Sequence, residues 1–170
     1  MQGGDFMDFI FEKLEKKHQK EVADILNYYI ENTTAAYREE VVDEDFSLNF
    51  LEGPDVFCSF VIKTVTNKIV GFCTLEPHMA MSTFSEVAEV MYFIHHEYTG
   101  KGAGSLALKI IEDKARTIGV KKLLADSSTE NIGSIDFHKS NGFIEYGRLL
   151  NVGKKLGRSF GVAYFVKDLC

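Results

Sequence analysis

Hydrophobic positions along the chain change period several times, and each change marks an element. "FIFEKL" (9–14) is a short apolar run that predicts a strand. In "QKEVADILNYYIEN" (19–32), Val22, Ile25, Leu26, Tyr29 and Ile30 recur at helical spacing and define one face. After the loop "NTTAAY" (32–37), "DEDFSLNFL" (43–51) predicts a short second helix with Phe46 and Phe50 inward. "VFCSFVIKTV" and "IVGFCTLEP", joined at Thr66-Asn67-Lys68, are rich in β-branched and aromatic residues and predict a β-hairpin. "SEVAEVMYFIH" (85–95) predicts a further strand after the loop "HMAMSTF".

A glycine-rich segment then opens a helix with Leu106, Ile110, Ile111 and Ala115 facing inward. "KKLLAD" (121–126) predicts a buried strand, and "NIGSIDFHKSN" (131–141) a helix ended by Gly142. "FIEYGRLL" and "GVAYFVKDL" predict two closing strands around a loop, "NVGKKLGRS". The order β-α-α-β-β-β-α-β-α-β-β predicts an α/β (α+β) fold. Its single mixed, mostly antiparallel sheet has about seven strands, flanked by about four helices.

With 170 residues, two prolines and no low-complexity tract, the chain forms one domain, with residues 1–8 as a loose N-terminal extension. A formal charge of −6 argues against a nucleic-acid binder, which needs a basic footprint. Lys154, Lys155 and Arg158 still form a local basic patch. No apolar run approaches ~18 residues and no signal peptide opens the chain, so neither membrane nor export is expected. Cys58 and Cys73 lie in apolar stretches and Cys170 near the end. Without metal-ligand spacing they predict buried thiols, no metal site and a cytoplasmic protein.

The chemistry gathers at "HHEYTGKGAGSLAL" (95–108), with Gly100, Gly102 and Gly104 in five positions. No Gly-Lys-Ser/Thr follows, which excludes a P-loop. A dinucleotide turn is a rival, since Asp126 ends the next strand where a ribose partner would stand. However, Ser105 replaces the third glycine and "HHEYT" intervenes after the strand. Backbone N–H groups at a helix N-terminus also make a pyrophosphate cradle without any basic side chain. A ligand-free strand-to-helix turn remains the plain alternative.

The run from this cradle to "NIGSIDFHKSNGF" resembles the second half of the GNAT acetyltransferases. "ILNYYIENTTAAY", "LEP", "AEV", "FHKSNGF" and "VGKKLGR" are similar to the phosphinothricin N-acetyltransferase branch, across about Phe9 to Leu169. The resemblance implies the GNAT fold and acetyl-CoA as co-substrate. The family's Gln/Arg-x-x-Gly-x-Gly/Ala appears here as Thr99-Gly100-Lys101-Gly102-Ala103-Gly104, followed by Ser105, with threonine at the first place. It further implies that Phe93 and Ile94 meet the pantetheine arm through their backbone, with Asn131 and Ser134 as further cofactor neighbours. Asn131 equally suits a helix cap.

Acetyl transfer needs a neutral amine, a stabilised oxyanion and a proton for the thiolate. Glu89, on a mostly apolar strand, matches the family's general base, with Glu86 as a rival; partial burial would tune it. The resemblance makes His138 the thiolate's proton donor, and its ordinary pKa suits that role. A backbone N–H between Met91 and Ile94 is expected to hold the oxyanion. His95 and His96, if on a strand, point to opposite faces, which disfavours a metal site.

Tyr37 resembles the aromatic residue of the acceptor pocket, which Met79, Met81 and Phe84 complete. Met79 and Met81 stand where phosphinothricin enzymes tend to carry basic residues, and Phe160-Gly161 where the family often has His-Asp. Two methionines make an adaptable apolar wall, unable to pair with an acidic group. The expectation is N-acetylation of a small primary amine, of the amino-acid or methionine-sulfone class, by a homodimer. Two other classes remain: a protein N-acetyltransferase and a non-catalytic acyl-CoA sensor.

Overall fold

The structure, a computed structural model, describes residues 7–46 and 56–169. β1 (Phe9–Lys13) leads into α1 (Gln19–Asn32), then β2 (Cys58–Thr64), β3 (Ile69–Pro77) and β4 (Val87–Ile94). α2 (Ala103–Thr117), β5 (Lys122–Ser128), α3 (Ile132–Ser140), β6 (Ile144–Lys155) and β7 (Arg158–Asp168) complete the order. The seven strands form one sheet, β1-β2-β3-β4-β5-β7-β6. Only β4 and β5 run parallel. Among the described residues there are three α-helices rather than about four. The expected second helix falls mostly outside them; only a turn at residues 44–46 is seen, with Phe46 against the core.

The two faces of the sheet are covered separately. α1 places Val22, Ile25, Leu26 and Ile30 over Val61 and Phe72, with Met91 and Phe93 of β4 on the same side. α2 and α3 cover the other face, over Ile62, Cys73, Leu75, Ala88, Val90, Leu123 and Phe165. Even-numbered residues of β4 therefore face α2, and odd-numbered ones, Glu89 among them, face the α1 side.

Two expectations fail locally. Leu106 is exposed; the inward face of α2 runs through Ala103, Ala107, Leu108, Ile111 and Ala115. The segment "NVGKKLGRS" is mostly strand, because β6 is an edge strand whose outer side tolerates polar residues. The turn itself is Leu156-Gly157, both at positive φ (52° and 74°), the conformation favoured in two-residue hairpins. Val162 and Phe165 of β7 belong to the core.

Candidate active site

β4 and β5 pair over only three rungs, the last being Glu89 with Leu124. Beyond it Val90–Ile94 and Ala125–Ser128 are joined only to their outer neighbours, β3 and β7. Among the described residues the sheet thus forks at Glu89 and leaves two facing strand edges without ladder partners. Such a crevice, at the carboxyl ends of parallel strands, is where a ligand with amide groups finds main-chain partners.

The glycine segment sits at one mouth of this fork. Gly100 and Gly102 have φ of 74° and 94°, which side-chain-bearing residues rarely adopt. Gly102 caps α2 without a side chain, and Leu106 N–H is the first to reach back, to its carbonyl at 3.2 Å. The N–H groups of Ala103, Gly104 and Ser105 therefore lack helical partners at the positive end of the dipole. These features fit a pyrophosphate. Gly104 serves packing instead, since a Cβ there would meet the Phe137 ring at 3.2 Å; it sets the contact between α2 and α3. Thr99 turns its hydroxyl to the His96 carbonyl at 3.0 Å, and Lys101 lies 4.8 Å over the Tyr98 ring.

On the α1 side of the fork, Glu89 is half exposed, with 52% of its side chain accessible. It was expected to be partly buried; its environment is instead a bond to His78 Nδ1 at 2.6 Å. Glu76 stands directly opposite it on β3. The rival base Glu86 pairs with Lys121 on the surface. One turn of the pleat beyond the last β5 rung, Asp126 accepts a hydrogen bond from the Tyr37 hydroxyl. Burial of the surroundings, then the Glu89 charge, push the Asp126 carboxyl above its ordinary pKa, against the Tyr37 bond. Burial also raises the Tyr37 phenol.

Tyr37 stacks on Phe160, and its loop is anchored from beneath. The buried Lys155 ammonium donates to the Ala36 carbonyl, and Thr34 bonds Ser128 at 2.6 Å. Arg158 binds Glu130, whose carboxylate also takes the Thr34 hydroxyl. Lys155 and Arg158 are thus committed to internal partners and do not form a free basic patch. Met79 and Met81 are exposed, not core, while Phe84 meets the His78 ring edge-on.

The other face of the fork carries His138. It is 2% exposed; burial pushes its pKa down to about 4, partly countered by the Ser134 carbonyl. Nδ1 donates to that carbonyl at 2.8 Å, so Nε2 accepts the Tyr92 hydroxyl. Phe143 N–H bonds the His138 carbonyl and Gly142 N–H that of Lys139, closing α3 with Gly142 at φ 85°. Asn131 caps α3 by accepting Ser134 N–H at 3.1 Å, and the Ser134 hydroxyl meets Ser127 at 2.7 Å. Phe93 packs on Tyr29 and Phe72, and the Ile94 carbonyl accepts the Tyr29 hydroxyl.

The structure brings Glu89, Tyr37 and Phe84 to one side of the fork and His138, Asn131 and Ser134 to the other. Sequence reasoning missed His78, Tyr92 and the pairing of Asp126 with Tyr37. The register that sets Glu76 against Glu89, and so puts His78 beside them, was the signal available for the first. His95 and His96 stack with centroids 4.5 Å apart, because β4 ends at Ile94 and strand alternation does not apply. Among the described residues no cluster of three metal-ligating side chains exists. Cys73 is buried and Cys58 partly so; burial raises their thiols to about 12 and about 11.

Residues 22–143 match the Acetyltransferase (GNAT) family. L-amino acid N-acyltransferase MnaT of Escherichia coli K12 is 27% identical over 149 residues, 87% of each chain. The L-methionine sulfoximine/L-methionine sulfone acetyltransferase of Salmonella typhimurium LT2 is 28% identical over the same length and shares. A GNAT-superfamily phosphinothricin acetyltransferase from Sinorhizobium meliloti, solved with AcCoA, superposes with a TM-score of 0.85 at 19% identity, over 95% of this chain and 89% of that one. Ribosomal-protein-alanine N-acetyltransferase from Brucella melitensis gives 0.85 at 26% identity, over 94% and 99%. With more than half of its length matched, and with the forked sheet and uncapped glycine cradle in place, the chain belongs to the GNAT acetyltransferase family.

Proposed function

We propose that this acetyltransferase acts on the primary amine of a small molecule, an amino acid or amino-acid analogue. The donor is acetyl-CoA, which supplies the thioester acetyl group. The observation that carries the reading is the position of Glu89 at the last rung of the fork, facing the side opposite α2. Relatives named for L-amino acids and for methionine sulfoximine support the acceptor class.

In this reading Thr99 to Ser105 hold the pyrophosphate through main-chain N–H groups, and the open β4 edge at Phe93 and Ile94 meets the pantetheine amides. Asn131 and Ser134 flank that arm. Glu89 accepts the proton of the incoming ammonium, with His78 holding the carboxylate toward the fork. The N–H groups between Met91 and Ile94 stabilise the developing oxyanion in a water-poor crevice. His138 is sealed from solvent and its Nε2 accepts the Tyr92 hydroxyl, so it orients Tyr92 and gives up no proton of its own to the thiolate. Tyr37, Met79, Met81 and Phe84 wall the acceptor. A homodimer is expected; exposed apolar residues on the edge strand β6 (Ile144, Leu149, Leu150, Val152) suit such a contact.

Glu89→Gln tests the base. Loss of general-base catalysis is worth about 10²–10⁴ in rate. The variant should lose turnover by that order while binding acetyl-CoA as the parent does. Unchanged turnover would remove Glu89 from the chemistry. The Brucella neighbour favours a second reading, a protein N-acetyltransferase. Reaction with a peptide library separates the two, since acetylated N-termini would overturn the small-molecule assignment.

A further inference from the structure

The acceptor side of the fork carries more negative charge than one proton transfer requires. Glu89 and Asp126 point to the same face from adjacent strands. Asp126 lies two residues beyond the β5 partner of Glu89. The strands part beyond that rung, so at the rise and spacing of a sheet their Cα atoms are at least roughly 8 Å apart, and the Asp126 carboxyl still feels the Glu89 charge. Asp126 is exposed, but its carboxylate is held in place. The Tyr37 hydroxyl meets Oδ1, leaving the second oxygen for a ligand, and Tyr37 is itself fixed by Phe160 and the Lys155 tether.

Aromatic rings complete the surroundings. Tyr164 is the direct cross-strand neighbour of Asp126. Tyr146 packs near Tyr164 at 6.2 Å and lies within the fields of both Glu89 and Asp126. Ring faces beside a carboxylate favour an ammonium group by cation–π attraction and charge together. Two cations of the β6–β7 hairpin behind Tyr37 are already engaged, Arg158 by Glu130 and Lys155 by the Ala36 carbonyl. Met79 and Met81 add none.

We propose that Asp126, set by Tyr37, is a specificity-determining residue that receives a second positive charge on the acceptor. The favoured acceptors are then amines with another ammonium a few carbons away, such as a basic amino acid or a diamine. The inference rests on the reading of this face as the acceptor site and narrows it.

Two matched pairs test it. Lysine is compared with 2-aminoheptanoate, and 1,4-diaminobutane with pentylamine; in each pair a methyl replaces one ammonium. The parent should favour the dication at least tenfold in kcat/KM. Asp126→Asn should cut that preference at least tenfold, chiefly through KM, and Tyr37→Phe should cut it in the same direction. Retained folding is checked by Tm, and binding of 1,4-diaminobutane to each protein is followed by calorimetry. Acetyl transfer with no preference for the dication, or a preference untouched by Asp126→Asn, overturns this proposal and leaves the acetyltransferase reading intact. Diamine binding that depends on Asp126, without transfer to any amine, supports it and overturns the small-molecule acetylation reading.

Discussion

Gly100 and Gly157 form a matched pair that separates the cradle from ordinary turn chemistry. Both have φ of 74°, and a Cβ added at either would find nothing within 4 Å. Alanine at each therefore incurs the same left-handed backbone strain, about 1–2 kcal/mol. A less flexible unfolded chain returns roughly 0.4–1 kcal/mol of this. The net loss is about 1 kcal/mol in each variant, or a fall of about 2–4 °C in Tm for a chain of this size. Their ligand effects must differ. Gly157 lies in the hairpin between β6 and β7, whereas Gly100 precedes the open N–H groups of α2. If the N–H groups hold a pyrophosphate as proposed, Gly100→Ala fills space beside it and strains the loop that aims those groups. It should weaken acetyl-CoA by at least tenfold, about 1.4 kcal/mol, while Gly157→Ala should leave it unchanged. Calorimetric unfolding gives the first quantity, and titration with acetyl-CoA the second. Equal acetyl-CoA affinity in the two variants would refute the cradle.

His138 makes stability depend on pH. Its folded pKa lies near 4, below the ordinary 6.5, so between these values the unfolded chain binds more protons. Stability is complete above 6.5 and falls by about 3 kcal/mol as the pH drops toward 4. His138→Gln should flatten that part of a urea-unfolding profile; an unchanged slope would contradict the neutral, buried imidazole. Gly161→Ala would push a Cβ to 2.5 Å from the Leu149 carbonyl oxygen, a backbone atom that cannot turn away. A loss of roughly 1–3 kcal/mol is expected, and an unaltered Tm would argue against the β6–β7 approach described. Lys155→Met removes the tether beneath Tyr37. It should raise acceptor KM more than acetyl-CoA Kd, and steady-state kinetics with both substrates varied would show otherwise if the loop holds unaided.

Most of the fold was legible because its elements have strong periods. The apolar face of α1 fixes residues 19–32, and the β2–β3 hairpin is bounded by its turn residues. The first part of β6 was predicted by "FIEYGRLL", whereas its far end, residues 151–155, was hidden by its place at the sheet edge, where alternation has no buried side to enforce it. The turn residue Leu156 in a left-handed conformation also gives no compositional signal. Within the site, the glycines stood out by their spacing, and Glu89 was singled out by its place on an apolar strand and its resemblance to the family's base. The bond between Tyr37 and Asp126 joins residues 89 positions apart, and only the packing of the loop onto β5 creates it. The sealed Tyr92–His138 pair was equally invisible, because a histidine's burial depends on what covers it. The resemblance named its role, and the structure shows its surroundings.

Everything proposed for the fork depends on its transferring an acetyl group to a small amine. Mass detection of products answers this, after incubation with acetyl-CoA and a pool of amino acids, their analogues, polyamines and aminoglycosides. A mass gain of one acetyl group is expected on a small set of primary amines, with free CoA formed in equal amount. Intact acetyl-CoA with no acetylated amine would contradict the assignment.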